Sequence, residues 1–308
     1  MLFAAPVFAL PSATRMLAAG EFGPIRSLES RTPDTKGMVY VLEYHHIRSG
    51  RGPMFRTPRE LVHDLERLWR LGFRPVTVAE YATNRMPLPK GASPVILTFD
   101  DAHPSQLHIR PDGTVDPKCA VGILMAFAKK HPDFPAKATF YVLPNFFGQR
   151  KYRAKKVKIL QDLGCEIGTH TMTHPQLSRL SDEGVKREIA GISDFVGSLG
   201  VKGPYSFAPP YGLMPRNRLL VKGFTYRGKT YRNLSNAYAF YGPAFSPNDP
   251  RFSPFAINRI VAEKGQDGIE HYLSRAALGK VHLYVSPGGD AITAAGRGEG
   301  RKSRLSRL

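Results

Sequence analysis

The sequence predicts an α/β fold built on a parallel sheet or barrel. Three observations predict it: strand-like and helix-like segments alternate, the most hydrophobic strand is apolar on both faces, and helix-start signals stand between strands. Residues 38–46 (MVYVLEYHH) are apolar and β-branched enough for a buried strand. Thr57-Pro58-Arg59-Glu60 then opens a helix, with Thr at the N-cap, Pro at the first helical position and Glu three residues on. Leu61, Leu65, Leu68 and Trp69 give that helix one apolar face. Residues 73–76 make a short strand, and Thr77-x-x-Glu80 is a second capping box. Residues 94–99 (PVILTF) form a near-continuous apolar run, the pattern of a strand covered on both sides.

The alternation continues beyond them. Asp116-Pro117 is expected to cap a helix through Lys130, and residues 137–143 (KATFYVL) read as a strand. A basic helix over about 152–163 stops at Gly164, a C-terminal cap, and residues 165–168 are the next strand. Residues 181–199 make a long helix with Asp182 and Glu183 in its first turn, before a strand at 205–208. Residues 228–260, rich in Tyr, Pro and Asn, read as irregular loop, and residues 281–285 as a last strand. With no internal repeat and no strong linker, one domain is the economical reading.

The composition excludes several classes. At 308 residues and 42% apolar, the chain can bury about 75% of its unfolded surface, unlike a disordered or collagen-like chain. Two cysteines, Cys119 and Cys165, make neither a disulfide framework nor a C-x-x-C motif. No run approaches the roughly 20 apolar residues of a transmembrane helix. Lys plus Arg exceeds Asp plus Glu by 44 − 25, giving +19, which favours anionic surroundings such as nucleic acid, anionic lipid or an acidic wall polymer. Residues 291–308 carry five of the basic side chains and read as a solvated, flexible basic tail. Residues 2–10 form an uncharged apolar run followed by small residues, so residues 1–30 read as an export-signal remnant and N-terminal extension, although a basic n-region is missing.

Two places can carry chemistry. Thr98-Phe99-Asp100-Asp101 sets adjacent carboxylates at the end of the most hydrophobic strand, where each must be solvated, paired or bound to a cation. The ends of such strands are where α/β folds place their sites. His170-Thr171-Met172-Thr173-His174 sets two imidazoles four apart. On an extended strand they would lie roughly 13 Å apart, but about 6 Å apart on a helical turn, so a shared metal requires the chain to curl after the strand. Two His and one Asp make an N,N,O site that leaves positions open for water and substrate, with a second Asp free beside it. That is the minimum kit for metal-assisted hydrolysis.

TFDD, HTMTH and Phe207-Ala208-Pro209-Pro210-Tyr211-Gly212, in that order, resemble the polysaccharide deacetylase family, the NodB-homology carbohydrate esterases. Residues 41–47 (VLEYHHI) look like the opening strand of its biofilm-polysaccharide branch, and residues 138–142 (ATFYV) are similar to another family strand. The likeness spans residues 38–285, within a domain set at 31–290. It implies a distorted (β/α) barrel of about seven parallel strands and a divalent metal, usually zinc, at the mouth. By resemblance Asp100 is the general base, and Asp101, His170 and His174 are the metal ligands. The backbone N–H of Tyr211 would hold the oxyanion, on a substrate-facing loop stiffened by Pro210.

The chain also departs from the family. Many members carry an Arg in the third motif, where Ala208 stands here, and the late Leu-x-His motif that supplies an acid is not evident. His103, just after the Asp pair, and His45 or His46, at the end of the first strand and facing substrate, are the candidate replacements. The expectation is a metal-dependent enzyme removing acetyl groups, N-acetyl preferred, from a chitin-like glycan, peptidoglycan or exopolysaccharide outside the cytoplasm. Anionic envelope polymers are a second partner. The alternative is a catalytically impaired, metal-containing carbohydrate-binding protein. Specific nucleic-acid binding is not expected, since no such module or stacking pattern is recognisable.

Overall fold

Period-two alternation along the strands decides which side chains face inward and which meet the helices. The computed structural model describes residues 27–239, 242–265 and 267–289, so the expected signal remnant, apart from residues 27–30, and the basic tail lie outside the described residues. In chain order the elements are β1 (Tyr40–Tyr44), β2 (His46–Ile47), β3 (Phe55–Arg56), α1 (Pro58–Arg70), β4 (Phe73–Val76), α2 (Val78–Ala82), β5 (Ser93–Phe99), α3 (Ala120–Lys130) and β6 (Thr139–Val142). There follow α4 (Arg153–Asp162), β7 (Glu166–Thr169), α5 (Asp182–Ser198), β8 (Tyr205–Phe207), β9 (Gly223–Tyr226), β10 (Lys229–Asn236), β11 (Ile260–Val261) and α6 (Ile269–Ala277).

Seven strands run parallel in the order β11-β1-β5-β6-β7-β8-β10. Just beyond β10, Ala237 pairs in parallel with Ile257, shortly before β11. Tyr238 N donates to Ile257 O at 2.7 Å and Ile257 N to Asn236 O at 3.1 Å, which closes the ring. The result is the distorted (β/α) barrel. Its irregularities are a seam held by one bridge, the antiparallel β9 beside β10, and β4, which lies along the first half of the β5 edge that β6 takes over.

Tyr40, Leu42 and Tyr44 of β1 and Val95, Leu97 and Phe99 of β5 pack outward on α1 and α3 through Leu61, Leu65, Leu68, Leu124 and Phe127. The alternate residues Val39, Val41 and Ile96 join Tyr141, Ala208, Ala237 and Ile257 in the lumen. The same inward parity then delivers Glu43, Thr98 and Asp100 to the mouth. Every residue of β5 is buried, as its two-sided apolar pattern requires. Both capping boxes form, with Thr57 and Thr77 accepting from the backbone of Glu60 and Glu80.

Three expectations are corrected. The loop assigned to residues 228–260 contains β10, whose buried residues are largely polar. Asn233 there donates to Val221 O at 2.9 Å, so hydrogen bonding replaces the apolar pattern that marks a strand. Helix α3 starts at Ala120 under Cys119, whose Sγ accepts from Gly122 N at 3.4 Å, whereas Asp116 makes only the preceding turn by accepting from Cys119 N. Residues 281–285 form single bridges, Leu283 with Met38 and Val285 with Asp34, rather than a strand.

Arg56 and Asp64 tie α1 to the barrel. Both are buried; Arg56 Nε and Nη2 donate to the Asp64 carboxylate at 2.9 and 2.5 Å, and Tyr44 Oη donates to it at 3.1 Å. Removing one member of a buried pair strands the other charge. Asp64→Ala should therefore lower unfolding free energy by about 3–5 kcal/mol, read as a reduced urea midpoint.

Candidate functional site

Strand β5 ends by sending its two carboxylates different ways. Asp100 N still donates to Tyr44 O at 2.9 Å, so Asp100 keeps the inward parity of the strand. Asp101 and Ala102 then take φ of +74° and +49°, a left-handed turn that only a tightly held non-glycine backbone adopts. Gln106 braces this turn, its Nε2 donating to Asp100 O and, at 2.8 Å, to His45 O. Asp100 is 2% exposed, while the Asp101 side chain is 23% exposed at the mouth.

Asp100 is gripped from below. Arg259, itself buried, donates from Nη1 to Oδ1 at 2.8 Å and from Nη2 to Oδ2 at 2.9 Å. Burial alone would raise the Asp100 pKa, but the guanidinium charge wins and holds it well below the usual carboxylate range. Arg259 is anchored by Thr98 Oγ1 at 3.1 Å and Tyr238 O at 2.7 Å, with Glu43 Oε2 3.2 Å from its Nε. Glu43 is in a different state: burial, opposed by Arg259, pushes its carboxyl up to about 8.

The predicted curl is present. Strand β7 stops at Thr169, Thr171 and His174 adopt φ of +68° and +60°, and the His170 and His174 ring centroids come to 5.0 Å. His170 Nδ1 lies 2.7 Å from Ala208 O, which makes it the donor and leaves Nε2 with its lone pair. Nε2 of His170 and of His174 stand 3.5 and 3.3 Å from Asp101 Oδ1. Burial lowers both histidine pKa values, so both rings are neutral donors at neutral pH, and burial raises that of Asp101. Asp101 Oδ1 is a buried oxygen without a hydrogen-bond partner. Three unspent lone pairs meeting at one point fit a divalent metal, and the N,N,O set suits zinc.

The other expected residues divide. Tyr211 sits in a short 3-10 turn (Pro210–Gly212) with φ +60°, and its ring lies edge-on to His174 at 4.8 Å; Pro210 beside it is buried. His45 is buried against the pair, with Nε2 4.0 Å from Asp100 Oδ2 and 3.7 Å from Glu43 Oε1, and burial lowers its pKa to about 4. His46 stacks on Phe55 at 4.9 Å and meets His103 edge-on at 4.2 Å. His103 is spent on a local turn, its Nδ1 2.9 Å from Ser105 Oγ and 3.1 Å from Ser105 N; burial and then His46 lower its pKa to about 4.

Arg259 and Glu43 are the functional residues that the sequence reading missed. Arg259 makes the contact with Asp100 that Ala208 cannot make, reaching it from the approach to β11. The available signal was a charge inside an apolar run: Arg259 in INRIVA and Glu43 in VYVLEY.

Residues 88–226 match the family model described as polysaccharide deacetylase, the family to which the three motifs point. That segment includes Asp100, Asp101, His170, His174 and Tyr211, and excludes Glu43, His45, His46 and Arg259. A peptidoglycan-N-acetylglucosamine deacetylase of Bacillus cereus is 29% identical over 132 residues, 42% of this chain and 41% of that protein. An uncharacterized 30.6 kDa protein of Geobacillus stearothermophilus is 27% identical over 134 residues, 43% of this chain and 46% of that one. The chain thus spans less than half the length of these curated relatives. The solved structure of the Streptococcus pyogenes deacetylase PplD in complex with acetate shares the fold at TM-score 0.56 and 19% identity, covering 79% of this chain and 98% of that one. IcaB from Ammonifex degensii aligns at TM-score 0.54 and 20% identity, over 80% of this chain and 100% of its own.

Glu43 makes stability fall with rising pH. Its carboxyl titrates near 4.5 in the unfolded chain and at about 8 in the folded protein, so across that window only the folded state keeps the proton. The contribution is intact below 4.5 and lost as pH rises through 8. Between pH 5 and 8 the melting temperature should drop further for wild type than for Glu43→Gln, by about 5 °C. Parallel melting curves at the two pH values would show that Glu43 is ionised throughout.

Proposed function

We propose that this chain, whose residues 88–226 match the polysaccharide deacetylase family, is a metal-dependent hydrolase that removes acetyl groups from a glycan outside the cytoplasm. One observation carries the reading: Asp101, His170 and His174 converge on a point beside an ionised Asp100 that is not one of the three donors. A divalent ion held there, zinc by the character of the donors, would acidify a water and polarise the acetyl carbonyl.

The chain supplies the rest. Asp100 takes the proton of the attacking water; Arg259 fixes its plane with two hydrogen bonds and keeps it ionised at any neutral pH. That pairing also makes Asp100 a weak base, so it can act only on a water that is already acidic. Tyr211 N–H would hold the developing oxyanion, and Pro210 and the Tyr211 ring would border the substrate. An amine departs only with a proton. His45, its Nε2 4.0 Å from Asp100 Oδ2, is better placed to pass that proton on than His103, whose nitrogen is engaged with Ser105.

The Bacillus cereus relative, named for peptidoglycan N-acetylglucosamine, supports an N-acetylated wall glycan as substrate, and the net charge of +19 supports an anionic envelope around it. Among the described residues no helix is long and apolar enough to cross a membrane. A pure binding protein is less well supported: it would gain nothing from burying Asp100 against Arg259.

Acetate release from chitin oligomers, peptidoglycan and acetylated xylan, with chelator and with added zinc, tests the reading; no release from any of them under any condition would refute it. The His170/His174 double alanine variant should lose most bound metal, measured by elemental analysis. Asp100→Asn should keep its metal and lose about 10² or more in turnover. His45→Ala should slow N-acetyl hydrolysis by about 10² and ester hydrolysis much less, with His103→Ala milder on both. The reverse ranking would return the acid role to His103.

A further inference from the structure

Glu188, on α5, is buried, and its carboxylate is spent entirely on the segment between the two histidines. Oε2 accepts from Met172 N at 3.0 Å and Thr173 N at 2.8 Å, and Oε1 accepts from Thr173 Oγ1 at 2.8 Å. This segment is strained, for Thr171 and His174 both hold left-handed φ, and for a β-branched threonine that is an outlier. Each such residue is held at a conformational cost and persists only where the surroundings over-determine it. Backbone amides donating to a carboxylate make charge-assisted hydrogen bonds, roughly twice as strong as neutral ones.

The two histidines depend on this support unequally. His170 is fixed by the sheet and by Ala208 O, its N donating to Val142 O at 3.2 Å. His174 lies beyond the curl, its side chain 28% exposed, with Thr171 Oγ1 accepting from its N at 3.0 Å. If Met172 and Thr173 were released, Thr171 could leave the left-handed region, and His174 rather than His170 would move off Asp101.

We propose that Glu188 is a positioning residue of the metal centre, whose carboxylate holds the Met172-Thr173 backbone in the curl that sets His174 against Asp101 and His170. The inference rests on the metal-site reading above. It separates the variants by chemistry. In Glu188→Gln one amide oxygen can still accept both N–H groups while the NH₂ donates to Thr173 Oγ1. Glu188→Asp is one methylene too short to reach, and Glu188→Ala leaves both amides without an acceptor.

The test is zinc affinity of the purified full chain, by competition with a chromophoric chelator, together with the visible absorption of the cobalt form and melting of the metal-free protein. Glu188→Ala should weaken zinc binding by about 10–100-fold, the range for residues that orient metal ligands, and alter the cobalt spectrum. Glu188→Gln should stay within about 3-fold of wild type. In a His174→Ala background, where the ligand that Glu188 positions is already gone, Glu188→Ala should cost little more. In a His170→Ala background it should still weaken binding. Wild-type affinity in Glu188→Ala, or an equal loss with and without His174, would overturn the proposal. If Glu188→Ala does not fold, Glu188→Asp carries the same comparison. A wild-type chain that binds neither zinc nor cobalt would instead refute the metal site itself, and this inference with it.

Discussion

A guanidinium enclosed by the barrel organises the mouth. Arg259 is buried, so its charge must be met by Asp100, the nearby Glu43, Tyr238 O and Thr98 Oγ1. Desolvating two ions costs several kcal/mol each, and a simple apolar core would be at least as stable. What the pair gives is a carboxylate of fixed orientation and fixed charge next to a metal-ready donor set. Burial sets the states of its neighbours: Glu43, pushed up to about 8 against the pull of Arg259, holds its proton, and His45, lowered to about 4, stays neutral.

Where the sequence was legible, apolarity and geometry coincided. Residues 38–46 and 94–99 displayed period-two or two-sided burial, and both capping boxes were written in Thr, Pro and Glu at the correct spacing. The donor residues were legible as well, because Asp100-Asp101 at a strand end and a His pair four apart are chemically unusual. Strand β10 was illegible because Asn233, Ser235 and Asn236 are buried polar side chains, and hydrophobic patterning cannot detect them. The partners of Arg259 and Glu188 were illegible for another reason. They are distant in sequence, and nothing local in INRIVA or KREIAG specifies which backbone or carboxylate either residue will meet.

The barrel also shows how a short motif is given its shape. His170 and His174 are close in sequence, yet that closeness alone would leave them far apart. The strand stops, the chain turns left-handed twice, and helix α5 supplies the anion that holds the turn. Two conformational penalties are thus offset by hydrogen bonds from an element outside the motif.

The ring is sealed unevenly. Along β1 and β5 five register pairs run side by side, but between β10 and β11 a single bridge at Ala237 and Ile257 completes the circle. Local opening is cheapest where few backbone hydrogen bonds join two elements, and here side chains add to them: Asn236 Nδ2 donates to Phe255 O at 3.4 Å and Arg259 Nε to Tyr238 O at 2.7 Å. Arg259 lies two residues past Ile257. The guanidinium that grips Asp100 is therefore also one of the ties across the joint, so the closure of the ring and the setting of the carboxylate share one side chain.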